Sequence, residues 1–239
     1  MIVIMPMAGR GSRFEGSGYK KPKPLIEVLG KPMFCWAIES IKNIDFHKII
    51  IISLEEHENN YHVKDIIKNN IEKNIKLILL PDVTEGQLAT VLSAKNFIDD
   101  GEDILIISSD TIVVSSISED ILNKDKDCKG LISVADMEGD RWSFAKTDEG
   151  GKVIQVTEKI KISDHASTGI YYFTDGKDFI NRAEKIIENC EKTRGEYYVM
   201  PVYQKYIDEG KFIGISKADE MWDLGTPDAL NLFLSKQQI

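Results

Sequence analysis

Short runs of β-branched and aliphatic residues alternate with helix-like segments through the first half of this chain. That alternation narrows its folds more than any other feature. Ile2-Val3-Ile4-Met5 reads as a short buried strand, and so do Lys48–Ile52, Lys76–Leu80 and Ile104–Ile107. Between them, Pro32 can occupy the first turn of a helix on which Phe34, Ile38 and Ile41 recur at roughly helical spacing. Further helices are expected at Val63–Asn70 and from Gly86 to Phe97. Strands separated by helices imply right-handed βαβ units. The predicted class is α/β, a Rossmann-like open mixed sheet, mostly parallel and flanked by helices.

The second half changes character. Phe144–Thr147 and Val153–Thr157 flank Asp148-Glu149-Gly150-Gly151, a strong hairpin signal. Thr168–Phe173 reads as another strand. Helices are expected at Asp178–Asn189 and Tyr197–Glu209, then a strand at Phe212–Ser216 and a closing helix. With no repeat or linker, residues 1–239 form one expected domain. The change of character divides it into a Rossmann-like first part, to about residue 125, and a second part from about residue 126 that carries an inserted β-region.

A length of 239 residues suffices for one well-buried core. The net charge of −9 argues against a nucleic acid polymer as partner, because no broad basic footprint exists. No apolar run is long enough to span a membrane, and the first residues lack a signal peptide's basic n-region, so a cytoplasmic protein is expected. Cys35, Cys128 and Cys190 have no metal-ligand spacing and no disulfide pattern, and His47, His57, His62 and His165 form no metal motif.

The first strand runs into Met5-Pro6-Met7-Ala8-Gly9-Arg10-Gly11-Ser12-Arg13-Phe14. In an open α/β sheet, ligands bind beyond the carboxyl ends of the strands. Gly9 and Gly11 let the backbone approach a phosphate chain, and Arg10 and Arg13 add charge. Lys23 follows, held between Pro22 and Pro24 in a stiff segment. A dinucleotide fingerprint needs a third glycine where Phe14 stands. A P-loop needs Gly-Lys before Ser or Thr, and Gly16 is followed by Ser17 and Gly18.

Ala8-Gly9-Arg10-Gly11-Ser12-Arg13, Pro22-Lys23-Pro24-Leu25 and Val28-Leu29-Gly30-Lys31-Pro32-Met33 together resemble the opening of the bacterial sugar-phosphate nucleotidyltransferases. Glu85-Gly86-Gln87, Ser109-Asp110, Glu158-Lys159, Thr168-Gly169-Ile170-Tyr171 and Trp222-Asp223-Leu224-Gly225-Thr226-Pro227 continue the resemblance along the chain. It implies an Mg²⁺-dependent, pyrophosphorylase-type enzyme that moves NMP from an NTP to a small phosphorylated acceptor. On that likeness Asp110 and Asp223 hold Mg²⁺, Arg13 stabilises the leaving pyrophosphate, and Lys23 lies across the α-phosphate and the acceptor phosphate. Ala8, Gly9, Arg10, Gly11 and Ser12 cradle the triphosphate, with Ser109 beside them. Gly86 lets the base approach and Gln87 reads its edge. Trp142, Glu158, Lys159, Thr168 and Gly169 form the acceptor site. Relatives that self-associate make a homo-oligomer a further expectation.

The departures from the family pattern cluster on the acceptor side. Hexose-phosphate members commonly carry an aromatic-Gly pair, an Asn and a Pro where this chain has Trp142-Ser143, Ser167 and Ile160. Ser offers sugar hydroxyls less reach than Asn. The expected acceptor is therefore a modified sugar phosphate or a non-sugar metabolite such as phosphoglutamine. The opening resembles capsule and surface-polysaccharide members, some of them cytidylyltransferases, which favours CTP. A classical hexose-1-phosphate uridylyl- or thymidylyltransferase is the alternative. A metal-dependent glycosyltransferase usually shows Asp-x-Asp at the strand end, and Asp110-Thr111-Ile112 does not; Asp125-Lys126-Asp127 has the spacing but reads as an exposed loop. A non-catalytic nucleotide-binding module would lack one of Asp110, Arg13 and Lys23, and none is missing.

Overall fold

The computed structural model describes residues 1–237. In chain order the elements begin β1 (Ile2–Pro6), α1 (Ser12–Gly16), β2 (Glu27–Val28), β3 (Lys31–Pro32), α2 (Met33–Glu39), β4 (Lys48–Leu54), α3 (Glu55–Tyr61) and α4 (Val63–Asn70). They continue with β5 (Ile75–Leu80), α5 (Gln87–Leu92), β6 (Ile104–Ile107), β7 (Thr111–Ser115), α6 (Ile117–Asn123), β8 (Cys128–Ala135), β9 (Ser143–Thr147) and β10 (Val153–Glu158). The last are β11 (Ala166–Phe173), α7 (Gly176–Glu188), α8 (Met200–Asp208), β12 (Phe212–Asp223) and α9 (Pro227–Lys236).

One mixed sheet runs β5-β4-β1-β6-β11-β8-β12-β7, with the β9–β10 hairpin attached to β11. The β5, β4, β1 and β6 strands are mutually parallel. β11 runs antiparallel to both β6 and β8. The two halves of the chain thus share one sheet, and strands from the second half extend it directly from β6.

Strand alternation divides the core. Ile2 and Ile4 of β1 and Ile104 and Ile106 of β6 face one buried layer, with α5, α7 and α8. Val3, Met5, Leu105 and Ile107 face the other, with α2 and α4. Strands apolar on both faces are expected where helices cover both sides of a sheet. A third cluster fixes the site: Phe14, Ile26, Val28, Leu224, Leu230 and Phe233 pack together. These residues lie beside the glycine loop, the Pro-Lys-Pro segment and Asp223. Burying Phe14 alone stabilises that junction by about 2 kcal/mol.

Several boundaries differ from expectation. The segment from Gly86 to Phe97 is α-helical only over α5, followed by a single 3₁₀ turn at Lys95–Phe97. The Tyr197–Glu209 helix begins at Met200, because Tyr197 bonds sideways: its N–H donates to Glu85 O, and its carbonyl accepts from Leu88 N–H. β12 does not stop at Ser216. It pairs with β8 as far as Lys217, then with β7 to Asp223. Thus the Trp222-Asp223 motif lies on a strand end.

Candidate active site

Beyond the carboxyl ends of β1 and β6 lies a cavity of about 910 Å³. Ala8, Gly9, Arg10, Gly11, Arg13, Lys23, Gly86, Gln87, Ser109, Asp110, Trp142, Glu158, Lys159, Thr168, Gly169 and Asp223 all line it. Ser12 does not. It opens α1 with an exposed side chain, outside the lining.

The loop after β1 forms one wall. Met7 N–H donates to Ile52 O, but the N–H groups of Ala8, Gly9, Arg10 and Gly11 reach no backbone acceptor among the described residues. A run of unclaimed N–H groups ahead of a helix can hold an anion where the groups converge. Gly11 has φ +63°, and a Cβ there would stand 2.8 Å from Lys23 Cβ. Its glycine lets the lysine stem cross the loop. Arg10 reaches across the mouth to Asp82, 2.9 Å away, and its hydrogen bond holds that carboxyl below the usual range. Both side chains are exposed, so the pair adds little to stability.

Asp110 and Asp223 meet through β7 and β12. Their antiparallel register sets Asp223 opposite Thr111, and Leu224 N–H donates to Asp110 O. A Cβ on Gly225 would fall 2.8 Å from Asp223 Oδ1 and 2.9 Å from Asp110 Oδ2, so both carboxylates converge on one small residue. Lys23 Nζ lies 2.6 Å from Asp110 Oδ2, and an Arg141 guanidinium nitrogen lies 2.7 Å from Asp223 Oδ2. Burial raises the Asp223 pKa and the charge of Asp110 raises it further; the Gly225 N–H, Arg141 and Lys23 oppose the rise. Among the described residues no group of three or more His, Cys, Asp and Glu could enclose a metal.

At the start of α5, Gln87 Nε2 donates to Ser108 Oγ at 3.3 Å. Gly86 has φ +134°, and its missing Cβ would sit 2.4 Å from Tyr197 O. The protein's own backbone therefore already demands glycine there. On the opposite side, Glu158 is buried and accepts from Ser143 Oγ, with Lys159 Nζ 3.4 Å away. Glu158 is thus held inside the wall of the cavity, while the Lys159 side chain stays partly exposed. Burial raises the Glu158 pKa, against the pull of Ser143 and Lys159. Tyr171, beneath it, is pushed up to about 12 by burial and by the Glu158 charge. Thr168 is fully buried and spends its hydroxyl proton on Ser133 Oγ at 2.8 Å. Gly169 (φ +86°) lets Ser108 approach.

Arg141, Arg194 and Tyr198 also line the cavity, and no sequence motif marks them. They sit in loops as single residues without a periodic partner. Only Arg141, next to the aromatic-Gly variant Trp142-Ser143, stands beside a signal that could draw attention to it.

An open mixed sheet with a cavity beyond its strand ends, lined by a glycine loop, a lysine and two convergent aspartates, has the architecture of a ligand-binding α/β protein. More specifically, the chain belongs to the nucleotidyl transferase family, whose model matches residues 2–236. It is 31% identical over 249 aligned positions to the bifunctional protein GlmU of Methanococcus maripaludis (strain S2), covering 99% of this chain and 55% of that protein. GlmU of Thermotoga sp. (strain RQ2) is 26% identical over 94% of this chain and 48% of its own length. The chain thus spans about half the length of the curated relatives it matches. A crystal structure of the nucleoside-diphosphate-sugar pyrophosphorylase from Vibrio cholerae RC9 superposes with TM-score 0.83 at 30% identity, covering 98% of this chain and 100% of that one.

Proposed function

We propose that this protein is a pyrophosphorylase-type nucleotidyltransferase, joining NMP from an NTP to a small phosphorylated acceptor and releasing pyrophosphate. One observation carries the reading: the glycine-loop residues with unclaimed N–H groups, Lys23 and the Asp110–Asp223 pair line a single cavity. In-line attack of an acceptor phosphate on the α-phosphorus asks the protein mainly for positioning and charge neutralisation. The loop through Gly11 would hold the triphosphate, with Arg13 at the leaving pyrophosphate. Lys23 would leave Asp110 to bridge the α-phosphate and the acceptor phosphate.

The donor set fits Mg²⁺. Two hard carboxylates converge on Gly225 without an all-protein cage, and Mg²⁺ is commonly held by one or two carboxylates plus substrate phosphates. When bound, the ion would supply charge neutralisation at the α-phosphate. Asp110 and Asp223 would hold it, and Ser109 would brace the strand end.

The nucleotide side is the part to about residue 125 and the acceptor side the remainder. Gly86 and Gln87 would flank the base. Trp142, Glu158, Lys159, Thr168 and Gly169 would form the acceptor end, where Arg141, Lys159 and Arg194 supply positive charge. That charge supports an anionic acceptor, which every phosphorylated candidate satisfies. Phosphoglutamine or a modified sugar phosphate is preferred to a plain hexose-1-phosphate on the sequence departures at Ser143, Ser167 and Ile160. CTP as donor, and a place in capsule or surface-polysaccharide precursor synthesis, rest on the sequence resemblance. Use of an NTP pool fits a cytoplasmic location, and among the described residues no helix is long and apolar enough to cross a membrane.

The test is purified protein with Mg²⁺, each NTP in turn, and hexose-1-phosphates, phosphocholine, phosphoethanolamine and phosphorylated amino-acid amides as acceptors. Pyrophosphate release with one pair supports the reading and names both substrates. A protein that binds no NTP would end it.

A further inference from the structure

Arg141 occupies an unusual place. It lies on the exposed turn between β8 and β9, yet its guanidinium reaches the half-buried carboxylate of Asp223 at 2.7 Å. The turn is closed on itself and pinned from below. Trp142 Nε1 donates to Glu138 O at 3.0 Å, and Lys159 Nζ donates to Arg141 O at 2.9 Å. The Lys159 N–H also donates to Trp142 O at 2.9 Å. The guanidinium stacks over the Trp142 ring, 4.4 Å from its centre. The backbone at Arg141 is held, and about half of its side chain faces solvent.

Charge then restricts where it can go. Lys23 and Arg141 balance Asp110 and Asp223 one for one. A divalent cation on the same two carboxylates would add two positive charges at contact distance from both side chains, and like charges so placed repel strongly. Lys23 belongs to the nucleotide side. Arg141 comes from the acceptor side, within the wall that carries Trp142, Glu158 and Lys159.

Resting on the reading of Asp110 and Asp223 as a cation site, we propose that Arg141 competes with the divalent cation for Asp223 and, once displaced, binds the acceptor's phosphate. Arg141 is then a specificity-determining residue. It ties recognition of an anionic acceptor to loading of the metal. An arginine suits both stations, because its planar fork grips carboxylate and phosphate alike.

The experiment titrates Mn²⁺ alone into the wild-type protein, Arg141→Gln and Arg141→Lys, followed by electron paramagnetic resonance. Inorganic phosphate is then titrated into each Mn²⁺-loaded protein by calorimetry. Removing the competing charge should tighten Mn²⁺ binding about fivefold to tenfold in Arg141→Gln and leave Arg141→Lys within about twofold of wild type. Phosphate affinity of the Mn²⁺-loaded Arg141→Gln protein should fall about tenfold. Equal or weaker Mn²⁺ binding by Arg141→Gln, absence of binding by both proteins included, overturns the proposal, and so does unchanged phosphate affinity. An Asp223→Asn background guards against a folding defect, since Arg141→Gln should change Mn²⁺ affinity no further there; a full effect in that background also overturns it. The two readings fail separately. Tighter Mn²⁺ binding by Arg141→Gln in a protein that binds no NTP would remove the transferase. Turnover with unaltered Mn²⁺ affinity would remove the role of Arg141.

Discussion

Lys23 Nζ and Asp110 Oδ2 stand 2.6 Å apart, joining two segments 87 residues distant in sequence. The contact brings the Pro-Lys-Pro segment to the end of β6. Both side chains stay partly exposed, so the pair is weak as a source of stability. Its value lies in position. Lys23→Gln should keep the melting temperature close to wild type and lower kcat by about 10²- to 10³-fold, the usual cost of removing one charge-stabilising donor. NTP binding should survive through the loop N–H groups. Steady-state kinetics beside a thermal melt separate the two effects; a variant of near-normal kcat would take Lys23 out of the chemistry.

Asp223 and Glu158 make a prediction about pH. The half-buried Asp223 and the buried Glu158 both have pKa values raised above their ordinary 3.8 and 4.5. The folded protein therefore keeps protons that the unfolded chain has already released. Between the ordinary and the raised values the folded state binds more protons, so stability falls as pH rises through that window and levels off above it. Glu158→Gln removes one of the two contributions. Asp82, Glu191 and Glu209 are shifted the opposite way, so the readout is a difference: the urea midpoint of wild type minus that of the variant should fall as pH rises from about 4 to 7. Because Asp223 must be ionised to hold a cation, the acid limb of kcat/KM should lie above the range of an exposed aspartate.

Gly86 sits where the chain has no room for any other residue. With φ +134° and Tyr197 O only 2.4 Å from a Cβ, Gly86→Ala combines backbone strain with a clash against backbone that cannot rotate away. A loss of about 2–4 kcal/mol is expected, or roughly 5–12 °C in melting temperature for a chain of this size. Differential scanning calorimetry measures it directly. A stable Gly86→Ala protein with weakened NTP binding would instead make the base the reason for the glycine.

Much of this fold was legible because its signals are local. The β1 run, the Val63–Asn70 helix and the Asp148–Gly151 hairpin each carry their own pattern, and all three are present. What the sequence hides depends on distant partners. β8 begins in a charged stretch and contains Gly130, where a Cβ would meet Tyr172 O at 2.6 Å and the Tyr203 ring at 2.8 Å. That glycine weakens the strand signal, yet tertiary packing requires it. α3 is polar up to Tyr61 at its end and buries His57, so it has no apolar stripe to read. β7 follows immediately on Asp110 and completes the site only through β12, which arrives about a hundred residues later. The lining residues carried by local motifs could be named from sequence. Arg141 and Arg194, isolated in loops, could not.

The two glycines of the phosphate loop should behave differently despite standing two residues apart. A methyl group at Gly9 would meet nothing within 4 Å, and the backbone there is not left-handed, whereas Gly11 has φ +63° and Lys23 Cβ at 2.8 Å. Gly11→Ala should therefore cost about 1–2 kcal/mol and, by pushing the Lys23 stem aside, reduce kcat. Gly9→Ala should melt like wild type. The open space beside Gly9 lies within the cavity lining, on the face where the proposed triphosphate approaches. An alanine methyl in that space should raise KM for the NTP while leaving the fold intact. Thermal melts and NTP titrations of the two variants measure this separation of roles. If Gly9→Ala binds NTP as wild type does, the phosphates run elsewhere along the loop, and the N–H groups of Arg10 and Gly11 become the nearer candidates for holding them.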